Sequence, residues 1–307
     1  MDATAVLTRR AGAEACRQVG QQARPVAAVA CEFGVCWWTV MNAVIEHGTP
    51  LVDSPDRVGT VTKLGVDETS FQAARPGVAT KYVTGLVDLD RRAMIDMTPG
   101  NRAADLRRWC ANANLGWIAK IEVVATDLAE SYRAGLSPHL DHWVRVADPF
   151  HVVRAANRCA DSVRRRVQNE QLGPRGRKPD PLFKIRKILL AGSERITQGG
   201  VDRTLLGLRA GDPNDELLGA WLAKESVRDV HLTDDPAEAA LLLDKTIAGC
   251  LTDVVAEIRS LGATLARWQT EILAHHSTGA LNGPTEGLNL LVKEVKRCGR
   301  GFENFEH

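Results

Sequence analysis

The sequence has no CxxC pair, no apolar run of 18 residues and no charged-then-apolar segment at its start. The first absence argues against a zinc ribbon and, with seven scattered cysteines, against a disulfide framework. The other two argue against a membrane span and a secretory leader, so a soluble intracellular protein of a reducing cytoplasm is expected, associated with no membrane. A large net charge is also lacking, since the formal total is +1. The total hides an asymmetry. Eleven Lys and Arg stand against three acids between Arg154 and Lys187, whereas twelve acids stand against five bases between Asp202 and Glu257. With 307 residues, 44% of them hydrophobic and 25% charged, the chain can bury a core in two or three modules.

The front of the chain reads as a small helical module. In "RPVAAVACEFGVCWWTVMNAVIEHG", Pro25 suits the start of a helix over Val26–Phe33, where a missing N–H costs nothing. Gly34 can adopt the positive φ of a tight turn, and a second helix is expected over 36–47. Val29, Ala30, Phe33, Val35, Val40 and Ala43 would close the core between the two, with small Ala30 at the crossing. This is helix-turn-helix spacing. Trp38, Thr39 and Asn42 would face outward, Thr39 and Asn42 being suited to base edges or phosphates. The second helix carries no Lys or Arg, and the Trp pair also suits a core.

A Gly-, Pro- and Asp-rich stretch over 48–63 reads as a linker, after which the hydrophobic period changes from helical to strand-like. Strands are expected over 63–71, 81–91, 92–100, 121–127 and 142–148. Helices are expected around "AADLRRWCANA", over 128–136 and over 150–170. Three consecutive strands followed by alternating helix and strand imply an α/β mixed sheet covered by helices, the ribonuclease H-like arrangement.

Two acids then stand out. Asp67 lies inside the first strand, "LGVDET", and Asp127 ends "VVATD". On neighbouring strands their carboxylates would repel unless a cation shared them. Glu286, just past a Gly-Pro break at the head of the last helix, can supply a third oxygen ligand. Three such ligands suit Mg²⁺ or Mn²⁺, and two ions roughly 3.5–4 Å apart can act on a phosphodiester. Singly, each acid is equally a turn former or a first-turn helix acid. Asp88, Asp90 and Asp96 compete, although "VDLDRR" reads as a solvated hairpin. Asp127 and Glu286 are 159 residues apart, so a large insertion must separate them. Its basic start, with Arg164, Arg165 and Arg166, suits phosphate binding. In its later helices Leu217, Leu218, Trp221 and Leu222 read as one buried face.

Seven stretches, in order over nearly the whole chain, resemble the transposases of the ISL3 insertion-sequence family, whose cores are DDE and ribonuclease H-like. They are "VAAVACEFGVCWWTVMNAV", "LGVDETSF", "YVTGLVDLDRR", "DMTPGNRAADLRRW", "VVATDLAESYRAGL", "VRVADPFHVVRAAN" and "NGPTEGLNLLVKEVKRCGRGFENF". The resemblance implies a helix-turn-helix over 1–50, a linker over 51–62, and the first part of the core over 63–153. A helical insertion over 154–280 and a closing catalytic helix over 281–307 follow. It places the catalytic, metal-holding acids at Asp67, Asp127 and Glu286, with two Mg²⁺ or Mn²⁺ ions. Asp148, His151 and Asn289 become supporting residues, and Lys293, Lys296 and Arg297 join the DNA-binding set. The implied partners are double-stranded DNA, as element ends and target, and further copies of the chain, in a nucleoid-associated protein. The family's amino-terminal cysteine zinc module and extreme carboxy end have no counterpart in this sequence. A non-catalytic DNA-binding remnant is therefore the alternative, and a free-standing ribonuclease H-like nuclease a second one.

Overall fold

The computed structural model describes residues 6–113, 118–139, 142–173 and 179–298. It divides into two compact units, one of Met1–Val124, Ala129–Trp143 and Asn282–His307, the other of Ala125–Leu128 and Val144–Leu281.

The first unit opens with α1 (Arg9–Gly20), α2 (Val26–Phe33) and α3 (Trp37–Val52). The Thr8 hydroxyl caps α1 by accepting from Ala11 N at 3.2 Å. Gly34 has φ 66°, and its left-handed conformation ends α2 with N–H bonds back to Ala30 and Cys31. The bend from α2 to α3 is 108°, within the range typical of a helix-turn-helix. Ala15, Val26, Val29, Ala30, Val40 and Met41 form the buried core of this module. The helix α3 runs five residues beyond the expected end at His47, through Gly48 and Pro50. Pro50 removes one hydrogen bond in the last turn only, and Asp53 N closes the helix on Thr49 O at 2.8 Å. A further short helix, α4 (Pro55–Val58), stands inside the stretch expected to be a linker. No single helix among the described residues is long and apolar enough to cross a membrane.

The sheet is five-stranded, with β1 (Lys63–Gln72), β2 (Lys81–Asp88), β3 (Ala93–Pro99), β4 (Val123–Thr126) and β5 (Val144–Ala147) in the order β3-β2-β1-β4-β5. The first three strands pair antiparallel, with Asp67 opposite Gly85. Every expected strand is present, each within about two residues of its expected start, as strand-end fraying allows. Flanking elements are α5 (Ala103–Asn112) and α6 (Glu130–Leu136). Leu64, Val66, Leu86, Leu106, Ile121, Val124, Tyr132 and Leu136 bury the apolar face of the first unit. The hairpin "VDLDRR" is not solvated throughout. Asp88 is buried, and its Oδ1 accepts from the N–H groups of Asp90 and Arg91 at 3.0 and 3.1 Å, shaping the turn from inside. Asp96 accepts from Trp109 Nε1 at 2.8 Å and so fastens α5 to β3.

The second unit is built on α7 (Pro149–Leu172), with α8 (Pro181–Ile185), α9 (Gln198–Gly211), α10 (Glu216–Leu232), α11 (Pro236–Leu251), α12 (Ala256–Arg267) and α13 (Gln269–Thr278). Val152, Ala156, Val163, Leu217, Val227, Leu243, Ile258 and Leu265 are among its core residues. Leu217 is buried, whereas Leu222 is 53% exposed and leaves the face expected for it. Five residues separate the two, and at 100° per residue they point about 140° apart. The stretch 173–181 is rich in Gly and Pro, and its residues 174–178 lie outside the described residues.

Candidate functional site

The last helix, α14 (Gly283–Cys298), lies on the sheet in the first unit, and two glycines make this possible. A Cβ on Gly65 would come within 2.2 Å of Thr285 Oγ1 and 2.6 Å of Asn282 Oδ1. One on Gly85 would come within 3.1 Å of Asn289 Oδ1. Asn282, Thr285 and Asn289 are buried and recur at three- and four-residue spacing, so they form the sheet-facing stripe of the helix. Asn282 Nδ2 donates to Val66 O at 3.2 Å, fixing the helix start on β1. Asn289 Nδ2 donates to Asp67 Oδ2 at 2.9 Å, fixing one carboxylate oxygen of the first acid. Glu286 stands in the first turn, beside this stripe, where the positive end of the helix dipole favours its charge.

Glu68, next to Asp67, has its Oε2 bonded by Asn101 Nδ2 at 3.0 Å and the Tyr132 hydroxyl at 3.3 Å. Its carboxylate is thereby committed to bracing α5 and α6 against β1. On the same helix as Glu286, Lys293 and Arg297 are exposed. Lys296 differs, since its Nζ donates to Ser70 O at 3.4 Å and lies 5.5 Å from the centre of the Phe71 ring. The end of this segment, from residue 299 on, lies outside the described residues.

In the second unit, Asp127 follows β4 directly, and its carbonyl accepts from Thr126 Oγ1 at 2.9 Å. Asp148 directly follows β5 and is the N-cap residue of α7, with Pro149 in the first helical position. It is 2% exposed, and its Oδ2 lies 3.2 Å from His151 Nδ1. This contact orients the imidazole.

The basic start of the insertion is largely paired. Arg164 is buried and forms a fork on Asp161 at 2.7 and 2.9 Å, with a third bond to Gln168 Oε1 at 3.0 Å. Arg166 bonds Glu257 at 2.7 Å and Glu216 at 2.6 Å, tying α7 to α12 and α10. Arg165 also reaches Asp161, at 2.8 Å, but its side chain is 70% exposed. Through Arg166, therefore, the basic stretch is paired with two acids of the acidic stretch, while Arg164 and Arg165 pair with Asp161 of their own helix. In the front module, Trp38 is 58% exposed and Asn42 is exposed, while Thr39 is half-buried and its hydroxyl lies 3.2 Å from Cys36 Sγ.

Asp148 and His151 thus form an acid–imidazole pair at the head of α7 in the second unit, while Glu286 stands in the first turn of α14 in the first unit. Carboxylate oxygens suit Mg²⁺ or Mn²⁺, and an imidazole favours a transition ion. The motif "ADPFH" carried the signal for Asp148 and His151, as supporting residues.

The family model described as "Transposase", that of the ISL3-type DDE transposases, matches residues 64–307. The chain belongs to this family. Similar transposases are those for insertion sequence element IS1557 from two strains of Mycobacterium tuberculosis, each 27% identical over 295 residues. That alignment covers 89% of this chain and 64% of the relative. The transposase for insertion sequence element IS1001 of Bordetella parapertussis is 24% identical over 299 residues, covering 96% of this chain and 70% of the relative. The chain thus spans less than two thirds of the IS1557 proteins it matches. The ISL3-type match takes in Asp67, Asp127, Asp148, His151 and Glu286.

Proposed function

We propose that this ISL3-type chain is a DNA transposase that cuts insertion-sequence ends and joins them to target DNA. The observation that carries this reading is the family match over 64–307, which includes all three acids of the expected DDE set. Asp67 and Asp127 lie on or directly after β1 and β4, adjacent strands in the sheet, which supports a shared role. Asp67, Asp127 and Glu286 would hold one or two divalent ions, Mg²⁺ or Mn²⁺, with Asp148 and His151 as supporting residues. Such ions supply Lewis acidity and a low-pKa water to a phosphodiester. Water attacks the phosphorus at the element's end, the P–O3′ bond breaks, and a 3′-hydroxyl is freed. That hydroxyl then attacks a target phosphodiester, one P–O bond forming as another breaks.

The protein's own share is positioning. Asn289 holds Asp67 in place from α14, and Asn282 anchors the helix that presents Glu286. Asn289→Ala is expected to lower nicking about 10–100-fold at limiting metal, the usual scale for a partner that orients a metal ligand. Its mark would be a shift of the metal-dependence curve to higher concentration, which a purely structural role would not cause. Trp38, Thr39 and Asn42 of the front module, with Lys293, Lys296, Arg297 and Arg165, would meet double-stranded DNA. Arg164 and Arg166 join that set through the basic composition of their stretch, although their guanidinium groups are bound to acids of the second unit. Two or more copies would hold the two element ends together. The test is nicking of a duplex carrying the element's terminal repeat, dependent on Mg²⁺ or Mn²⁺ and abolished by chelation. Repeat binding without nicking under any divalent ion would favour the non-catalytic remnant instead.

A further inference from the structure

Three histidines that the DDE chemistry does not use gather in the second unit. His231 lies in the last turn of α10, and His275 and His276 lie in the last turn of α13. Their ring centres are 5.3 Å apart for His275–His276, 6.0 Å for His231–His276 and 6.1 Å for His231–His275. Three imidazoles sharing a tetrahedral ion need ring centres about 5 Å apart, given a metal–nitrogen bond of about 2.0–2.1 Å and roughly 1.2 Å from nitrogen to ring centre. The observed spacing exceeds that by up to about an ångström, so binding would require the rings to turn toward one another.

The hydrogen bonding points the same way. Both ring nitrogens of His231, and Nε2 of His276, are buried and have no hydrogen-bond partner. A buried polar atom left unpaired costs about 1–3 kcal/mol, so three in one place need an explanation. His275 Nδ1 lies 2.9 Å from Ala280 O. A carbonyl can only accept, so Nδ1 carries the proton and Nε2 keeps its lone pair, as in metal-bound histidines oriented by a backbone carbonyl. Burial holds the His231 pKa down, to about 4, and lowers that of His276 as well, so both rings are neutral at pH 7 and able to ligate. Two helix C-termini converge here, and their partial negative charge favours a cation. Asp148 beside His231 and Asp234 beside His276 add to that field. His275 and His276 are only partly buried, which leaves a path for an ion.

We propose that His231, His275 and His276 form a second metal site, specific for a divalent transition ion such as Zn²⁺. Imidazole nitrogens suit Zn²⁺, whereas Mg²⁺ prefers oxygen ligands. The site would clamp the ends of α10 and α13, and it does not depend on the transposase reading.

The experiment is titration of the full, tag-free chain with Co²⁺, followed by the visible band of a tetrahedral cobalt centre and competed with Zn²⁺ and Mg²⁺. One equivalent is expected to give the band, Zn²⁺ to abolish it and excess Mg²⁺ to leave it. His276→Gln and, separately, His275→Gln are expected to weaken binding at least about tenfold. Circular dichroism of each variant without metal establishes that it is folded. Glu286→Gln is expected to keep the band, which separates this site from the acidic group. No tetrahedral band in the parent chain would overturn the proposal. So would equal Co²⁺ affinity in both histidine variants, or a band lost in Glu286→Gln and kept in them.

Discussion

Asp127→Ala protein is expected to lose metal-dependent nicking by at least about 10³-fold while retaining duplex binding. The expectation follows from where charge develops. In phosphodiester cleavage the leaving oxygen and the phosphoryl oxygens gain negative charge, and a bound divalent ion offsets it by several kcal/mol. Each 1.36 kcal/mol is a factor of ten in rate, so about 4 kcal/mol gives the stated loss. Asp127 stands directly after β4, a strand with all four residues buried, so the carboxylate is presented from rigid backbone. Replacing it removes a ligand without removing a strand. Binding should persist, because the residues assigned to DNA lie on α3, on α14 and, with Arg165, on α7, and Asp127 is on none of these helices. Measurement needs the rate of nicking and the retardation of the same duplex. Wild-type nicking in the variant would remove Asp127 from the metal set. Asp148 would then be the next acid to test, by Asp148→Asn.

The two outcomes bear on what the sequence could reveal. Strands were legible because "LGVDETSF" and "VVATD" carry apolar residues at strand spacing and end at turn formers, and backbone pairing follows that pattern closely. The acids were legible as candidates because they sit inside a strand, directly after one, or beside a helix break. The pairing of Arg164 and Arg166 was not, since Glu216 and Glu257 lie 50 and 91 residues away from Arg166 and only the packed helices bring them together. The histidine trio was equally hidden, with His231 more than forty residues before His275 and a pair of helices between them. Gly48 and Pro50 read as a helix end, yet the hydrogen bond from Asp53 to Thr49 carries α3 past them. Asn289 could have been found by periodicity, as the residue one and two turns along the stripe of Asn282 and Thr285. Its bond to Asp67, 222 positions earlier, could not.

Gly65→Ala is expected to be among the most damaging single-methyl changes in the chain. Its added Cβ would stand 2.2 Å from Thr285 Oγ1, 2.6 Å from Asn282 Oδ1 and 2.6 Å from Leu89 Cδ2, all closer than real atoms approach. None of the three can give way cheaply. Thr285 and Asn282 are fully buried, and Asn282 is bonded to Val66 O beside the glycine. Overpacking of this kind costs about 1–3 kcal/mol, which for a unit of this size lowers Tm by roughly 2–12 °C. The functional cost should be larger than the stability cost. Relief of the clash lifts α14 from β1, and the same helix carries Glu286 and the Asn289 contact to Asp67, where displacement of about 1 Å can cost 10²-fold in rate. Gly85→Ala, with 3.1 Å to Asn289 Oδ1, should have a milder effect on both. Gly287→Ala meets nothing within 4 Å and replaces a helical glycine, so it should be neutral or stabilise by about 0.5–1 kcal/mol. Thermal unfolding and nicking rates of the three variants check the ranking. A Gly65→Ala protein with parental Tm and nicking would show that α14 is not seated on β1 as described, and with it would fall the positioning of Glu286.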